Sequence, residues 1–191
     1  MIKTKAIRRV QKSKEENIKD YYQTNPYMVK ALNELFADMN VSTESKVIDP
    51  CEGKKVIKRG LKSYFKNVKG FDLFEGDSPV DFLETKERCD IIVMNPPYSN
   101  KYKFIDHALE LADKVCCLLP LNISNYNMFF KEYENTETFQ GKLQMSPKMF
   151  LNETTEFKAG GTSQYCWYIW DKNNKTKNSL TWYKDLREYL K

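Results

Sequence analysis

Short apolar runs alternating with helical segments make this 191-residue chain an α/β protein with a mostly parallel sheet covered by helices on both faces. Two observations carry that expectation. The runs within Asp90–Met94 and Val115–Leu119 are almost continuously apolar, as strands buried on both faces are. Between them Phe104, Ile105, Ala108, Leu109 and Ala112 recur at helical spacing, the pattern of a crossover helix that packs by one stripe.

Taken in order, Asn25-Pro26 before Tyr27–Met39 marks a helix start, because Asn can cap and Pro suits the first helical position. Lys46–Ile48 reads as a strand ending in Asp49-Pro50, and Lys54–Phe65 as a helix. Val68–Phe71 is the next strand, ending at Asp72, and Asp90–Met94 the third. A helix over Tyr102–Asp113 leads into the strand Val115–Leu119, which stops at Pro120. Gln164–Trp170, aromatic and β-branched, is a late strand.

The length fits one domain over 21–191, with 1–20 as a basic N-terminal arm and 122–157 as a substrate-contacting insertion. No apolar stretch reaches membrane-spanning length, and the basic N-terminus lacks a signal peptide's apolar region, so no membrane association and a cytoplasmic location are expected. Five cysteines without C-x-x-C or neighbouring histidines argue against disulfides and structural zinc, and no metal site is expected. Cys116-Cys117 read as buried thiols on a core strand. The net charge of +5 suits a polyanionic partner without demanding one. Lys3, Lys5, Arg8, Arg9, Lys12 and Lys14 make either a phosphate-contacting arm or a solvated tail.

The chemistry concentrates where the third strand stops, at Asn95-Pro96-Pro97-Tyr98. Neither proline has an N–H, so this stiff turn presents carbonyls, with an amide on one side and a tyrosine ring on the other. That combination suits an exocyclic amino group on a flat ring. Open α/β sheets place ligand chemistry at such strand ends.

Asn95-Pro96-Pro97-Tyr98 after a hydrophobic strand resembles the catalytic motif of S-adenosylmethionine-dependent amino-methyltransferases, above all the N6-adenine DNA methyltransferases. The resemblance implies a Rossmann-like fold and S-adenosyl-L-methionine as cofactor. Asn95 and the Pro96 carbonyl would accept the amino hydrogens, Pro97 would stiffen the loop, and Tyr98 would stack on the flipped-out base. Further matches follow in the family's gamma order. Tyr22-Gln23-Thr24-Asn25-Pro26 resembles the element closing over the cofactor's methionine end, placing Tyr22 and Thr24 there. Asp49-Pro50-Cys51-Glu52-Gly53 resembles the turn that wraps its amino-acid end, with Asp49, Cys51 and Gly53 in contact. Asp72, with Leu73 beside it, matches the acidic residue that takes the ribose hydroxyls. Asp81-Phe82-Leu83 resembles the element whose Asp receives the adenine amino group while the Phe82 ring packs on the base. The family's second glycine in the first turn falls on Lys55, which adds bulk and charge near a cationic cofactor. His107, the sole histidine, reads as structural or exposed.

The chain has no room for a large target recognition domain. Tyr126, Phe129, Phe130, Tyr133, Phe139 and Phe150, interleaved with Lys131, Lys142 and Lys148, either contact substrate or pack the 122–157 segment onto the sheet. Lys158–Ser163 resembles the late motif that helps line the base pocket. The implied partner is nucleic acid, DNA ahead of RNA, with a partner subunit for target recognition. Three other readings stay open: an RNA-base methyltransferase, a protein-amide methyltransferase, or a non-catalytic nucleic-acid-binding subunit of the same fold.

Overall fold

A computed structural model describes residues 23–74, 79–146, 149–151, 157–159, 164–174 and 178–190. The basic arm, Tyr22 and residues 160–163 of the glycine-containing loop lie outside them. Asn25 caps helix α1 (Pro26–Asp38), its side-chain oxygen accepting from Tyr27 N at 2.8 Å. Strand β1 (Lys46–Asp49) leads through a tight turn into α2 (Val56–Leu61), followed by β2 (Asn67–Gly70). After a short 3₁₀ turn (Phe82–Glu84) come β3 (Cys89–Met94), α3 (Lys101–Leu111) and β4 (Ala112–Pro120), which begins with no intervening loop.

Helix α2 is shorter than the expected Lys54–Phe65 at both ends. Lys55 stands at its N-cap with φ +64°, a left-handed conformation that interrupts helical geometry. Beyond Leu61 the chain tightens into i→i+3 bonds, Gly60 O to Ser63 N and Leu61 O to Tyr64 N.

The remaining strands are β5 (Phe139–Ser146), β6 (Met149–Leu151), β7 (Phe157–Ala159), β8 (Tyr165–Asp171) and β9 (Leu180–Asp185). Seven of them form one sheet in the order β2-β1-β3-β4-β8-β5-β9, while β6 and β7 pair separately. All pairings in the sheet are parallel except those of β8, which runs antiparallel to both β4 and β5. Within 122–157, therefore, Phe139–Ser146 is a strand of the sheet itself, inward-facing at Phe139, Gly141, Leu143 and Met145.

Strand alternation divides the interior in two. Ile91, Val93, Cys116, Leu118, Trp167 and Ile169 pack against α1 and α2. Ile92, Met94, Val115, Cys117, Leu119, Tyr168 and Trp170 pack against α3 and the aromatic segment after β4. This is the two-faced burial expected of a parallel sheet, and Cys116 and Cys117 are both fully buried. Among the described residues no helix is long and apolar enough to cross a membrane.

Candidate active site at the strand ends

Three adjacent strands, β2, β1 and β3, deliver Asp72, Asp49 and Asn95 to the same edge of the sheet. The turn after β1 is stitched to the end of β2 by three bonds. Phe71 N donates to Asp49 O at 3.1 Å, Glu52 N to Phe71 O at 3.1 Å, and Gly53 N to Asp72 Oδ2 at 3.1 Å. Gly53 adopts φ +40°, which a glycine accommodates at little cost.

Asp49 is fully buried, its two oxygens accepting from Cys51 N at 3.3 Å and Lys58 N at 3.2 Å. Burial pushes its carboxyl up to about 8, and the negative Glu52 and Asp72 nearby add to the rise despite those two bonds. Cys51 is half-buried; desolvation, then Asp49 and Asp72, hold its thiol well above the ordinary range. Glu52 pairs with Lys58 at 2.9 Å over Gly70, where a Cβ would stand 2.4 Å from Glu52 Oε2. Lys55, at the position of the family's second glycine, is exposed.

Asp72 also accepts from Phe74 N at 2.9 Å, and Leu73 and Phe74 beyond it are exposed. Asp81 caps the 3₁₀ turn, accepting from Leu83 N at 2.9 Å. The Phe82 ring, expected on a cofactor base, is instead a core side chain. It is 2% exposed and packs against Phe71, Phe104 and the edge of His107. His107 has its Nε2 3.0 Å from Thr85 O, a structural position.

At the end of β3, Asn95 Nδ2 donates to Thr24 Oγ1 at 3.1 Å, and the Tyr98 hydroxyl donates to Asn95 Oδ1 at 3.1 Å. Thr24, expected to touch a cofactor, thus meets the candidate catalytic amide, with its side chain buried. Pro97 O accepts from Asn100 N, and Lys101 Nζ donates to Tyr98 O at 3.0 Å, which fixes the loop against the start of α3. The Tyr98 ring stacks on Tyr165, with centroids 5.9 Å apart and planes 20° from parallel. The roles of Tyr165 and Lys101 were not legible in sequence. Tyr165 carried a faint signal, as the first residue of an aromatic strand that follows the glycine-containing loop.

No family model and no curated protein matches the chain. Solved structures do. A proposed RNA methyltransferase from Pyrococcus horikoshii superposes with a TM-score of 0.59 at 17% identity, over 78% of this chain and 90% of that one. The type I restriction-modification methyltransferase subunit from Streptococcus thermophilus gives 0.62 at 13% identity, and the M protein of the type I restriction enzyme EcoKI gives 0.60 at 12%. Each of these two alignments covers 87% of this chain but only 47% and 48% of theirs, so the chain spans about half their length. At these identities the likeness is one of fold, and the fold is the Rossmann-like architecture of methyltransferases.

Proposed function

We propose that this chain is an S-adenosylmethionine-dependent methyltransferase acting on an exocyclic amino nitrogen of a nucleic-acid base, N6 of adenine first, with DNA ahead of RNA. The observation that carries this reading is the Asn95 amide, held at the end of β3 between the hydroxyls of Thr24 and Tyr98. The adjacent strand ends carry Asp49 and Asp72. Those carboxylates suit the cofactor's charge and shape. Asp49, buried among negative neighbours, is a carboxylate that a cation would stabilise, as an ammonium group would. Asp72 suits the ribose hydroxyls, and Gly53 permits close backbone approach. When bound, S-adenosylmethionine supplies an electrophilic methyl group on a sulfonium.

The protein's own contribution is positioning and hydrogen bonding. The lone pair of a ring-conjugated amine is delocalised, so the nitrogen attacks poorly until its hydrogens are drawn out of the ring plane. In this reading Asn95 Oδ1, which accepts from the Tyr98 hydroxyl, also receives one amino N–H of the substrate. The Pro96 carbonyl takes the second N–H. Both acceptors strengthen as the nitrogen becomes pyramidal and gains positive charge, so they favour the transition state over the bound base. Tyr98, whose ring lies against Tyr165, would be the ring that packs on the target base. Lys55 is exposed, which leaves its side chain room to extend into solvent beside a bound cofactor.

The named activities of the similar structures support a nucleic-acid substrate in either polymer. The partial coverage of the restriction-modification subunits supports a partner subunit for target recognition. Labelled S-adenosylmethionine incubated with DNA and with RNA, then digestion and mass spectrometry of nucleosides, tests the reading. N6-methyladenine is expected, with the rate in Asn95→Ala falling by about 100-fold or more. No methylated nucleoside from either polymer would overturn it.

A further inference from the structure

The segment after β4 presents a feature that the fold does not use. Its 3₁₀ turn (Leu121–Asn125) runs into a helical turn (Asn127–Phe129) and then a π turn (Phe130–Glu134). Phe129 points inward, fully buried, against Tyr102, Tyr133 and Tyr168. With Ile123 and Tyr133, also buried, it anchors the segment. Tyr126 and Phe130 flank it and face solvent at 61% and 49% exposure, with Met128 between them at 46%. Phe130 N donates to Tyr126 O at 3.1 Å, so the backbone of one closes the turn that the other, extended at the N-cap, opens. Exposed apolar groups gathered in this way mark a contact surface rather than a packing need.

The patch adjoins the candidate reaction centre. Tyr102, four residues after Tyr98, packs on Phe129, and burial followed by the nearby Tyr126 hydroxyl raises its phenol above the ordinary value. Lys101 Nζ lies 4.5 Å over the Tyr102 ring while donating to Tyr98 O, and Lys131 is exposed beside Phe130. Flat rings interleaved with cations suit stacked bases joined by phosphates. Paired bases show only their edges in the grooves and hide their faces, so rings of this kind have nothing to stack on in an intact duplex.

We propose that Tyr126 and Phe130 form a stacking platform for unpaired bases flanking the target nucleotide, so that the strand reaches Asn95 single-stranded, whether DNA or RNA. This rests on the reading of Asn95 as the residue that holds the target amine. The test is fluorescence anisotropy with labelled 12-nucleotide single-stranded DNA, its RNA equivalent and the matching duplex. Affinity of the same protein for S-adenosylmethionine is measured separately by calorimetry. Wild-type protein binds single strands more tightly than duplex, and the relative affinity of the two single-stranded probes distinguishes DNA from RNA. Each of Tyr126→Ala and Phe130→Ala weakens single-strand binding by about tenfold. The ring-conserving pair Tyr126→Phe and Phe130→Tyr restores it, which separates stacking from misfolding. If cofactor binds but oligonucleotide affinity ignores both rings, or if duplex binds at least as well as single strands, the platform is overturned. Ring-independent oligonucleotide binding would instead mark the patch as a protein contact. If wild-type protein binds no cofactor while ring-dependent strand binding persists, the failure lies with the methyltransferase reading and not with the platform.

Discussion

Asp49 carries the sharpest consequence at the scale of single residues. Its carboxyl, near 3.9 in an unfolded chain, is pushed up to about 8 by burial and by Glu52 and Asp72. Between those values the native state holds a proton that the unfolded state has released. Its contribution to stability is therefore complete below about pH 4 and is lost as pH rises towards 8. Chemical denaturation across that window should show a declining component that Asp49→Asn removes, leaving the variant the more stable protein at pH 8. Under the proposed function a cofactor cation beside Asp49 favours the ionised form, so S-adenosylmethionine affinity should rise with pH, by up to about tenfold per unit below pH 8. Calorimetry at pH 6 and pH 8 checks this, and Asp49→Asn should abolish the slope. Lys55 makes a second prediction. A left-handed lysine costs about 1–2 kcal/mol, and glycine's greater unfolded freedom returns part of that. Lys55→Gly should thus stabilise the protein by about 0.5–1 kcal/mol in urea titrations, since the side chain it removes is exposed.

At the scale of elements, α1 and α2 pack tightly at Gly60, where a Cβ would stand 2.6 Å from Val29 Cγ1. Asn33 ties the same turn, donating to Gly60 O at 2.8 Å and to Ser63 Oγ at 3.0 Å. Ala is ordinarily the better helix former by about 1 kcal/mol, yet here the clash should win, and Gly60→Ala should destabilise by about 1–3 kcal/mol. Val29→Ala in the same chain should recover part of the loss, a coupling that a double-mutant cycle in denaturant measures. The first four strands and two of the three helices were legible because β-branched runs and a 3.6-residue period survive in the sequence. Helix α2 was over-read because a left-handed lysine leaves no mark in composition. Strand β5 did carry a signal, the alternation of Phe139, Gly141, Leu143 and Met145. The surrounding aromatics and lysines made it read as a flap. In the site, Asn95 stood out through the turn chemistry of Asn95–Tyr98, whereas Asp49 and Asp72 were singled out through the family resemblance. The Thr24–Asn95 bond spans 71 residues, and no local pattern encodes such a meeting.

For the whole molecule, the sheet is built around a strand made late. From Cys166 to Trp170 β8 is almost completely buried, with β4 on one side and β5 on the other. Its amides and those of β4 should exchange hydrogen most slowly, while β2 and β9 at the edges exchange first; mass spectrometry of peptides reads the order directly. The placement of β8 also bears on biogenesis. Until residue 171 is made, β4 and β5 each lack the neighbour that covers one side of their backbone. At ordinary elongation rates of about 5–20 residues per second, a ribosome takes roughly 3–10 s to pass from the end of β4 to the end of β8. Through that interval the nascent chain carries the open edge of β4, joined by β5 once residue 146 is made, and such edges are the surfaces by which unfinished proteins capture one another. This fold therefore places its period of greatest exposure to aggregation before the completion of a strand whose first residue, Tyr165, packs on Tyr98 of the candidate site.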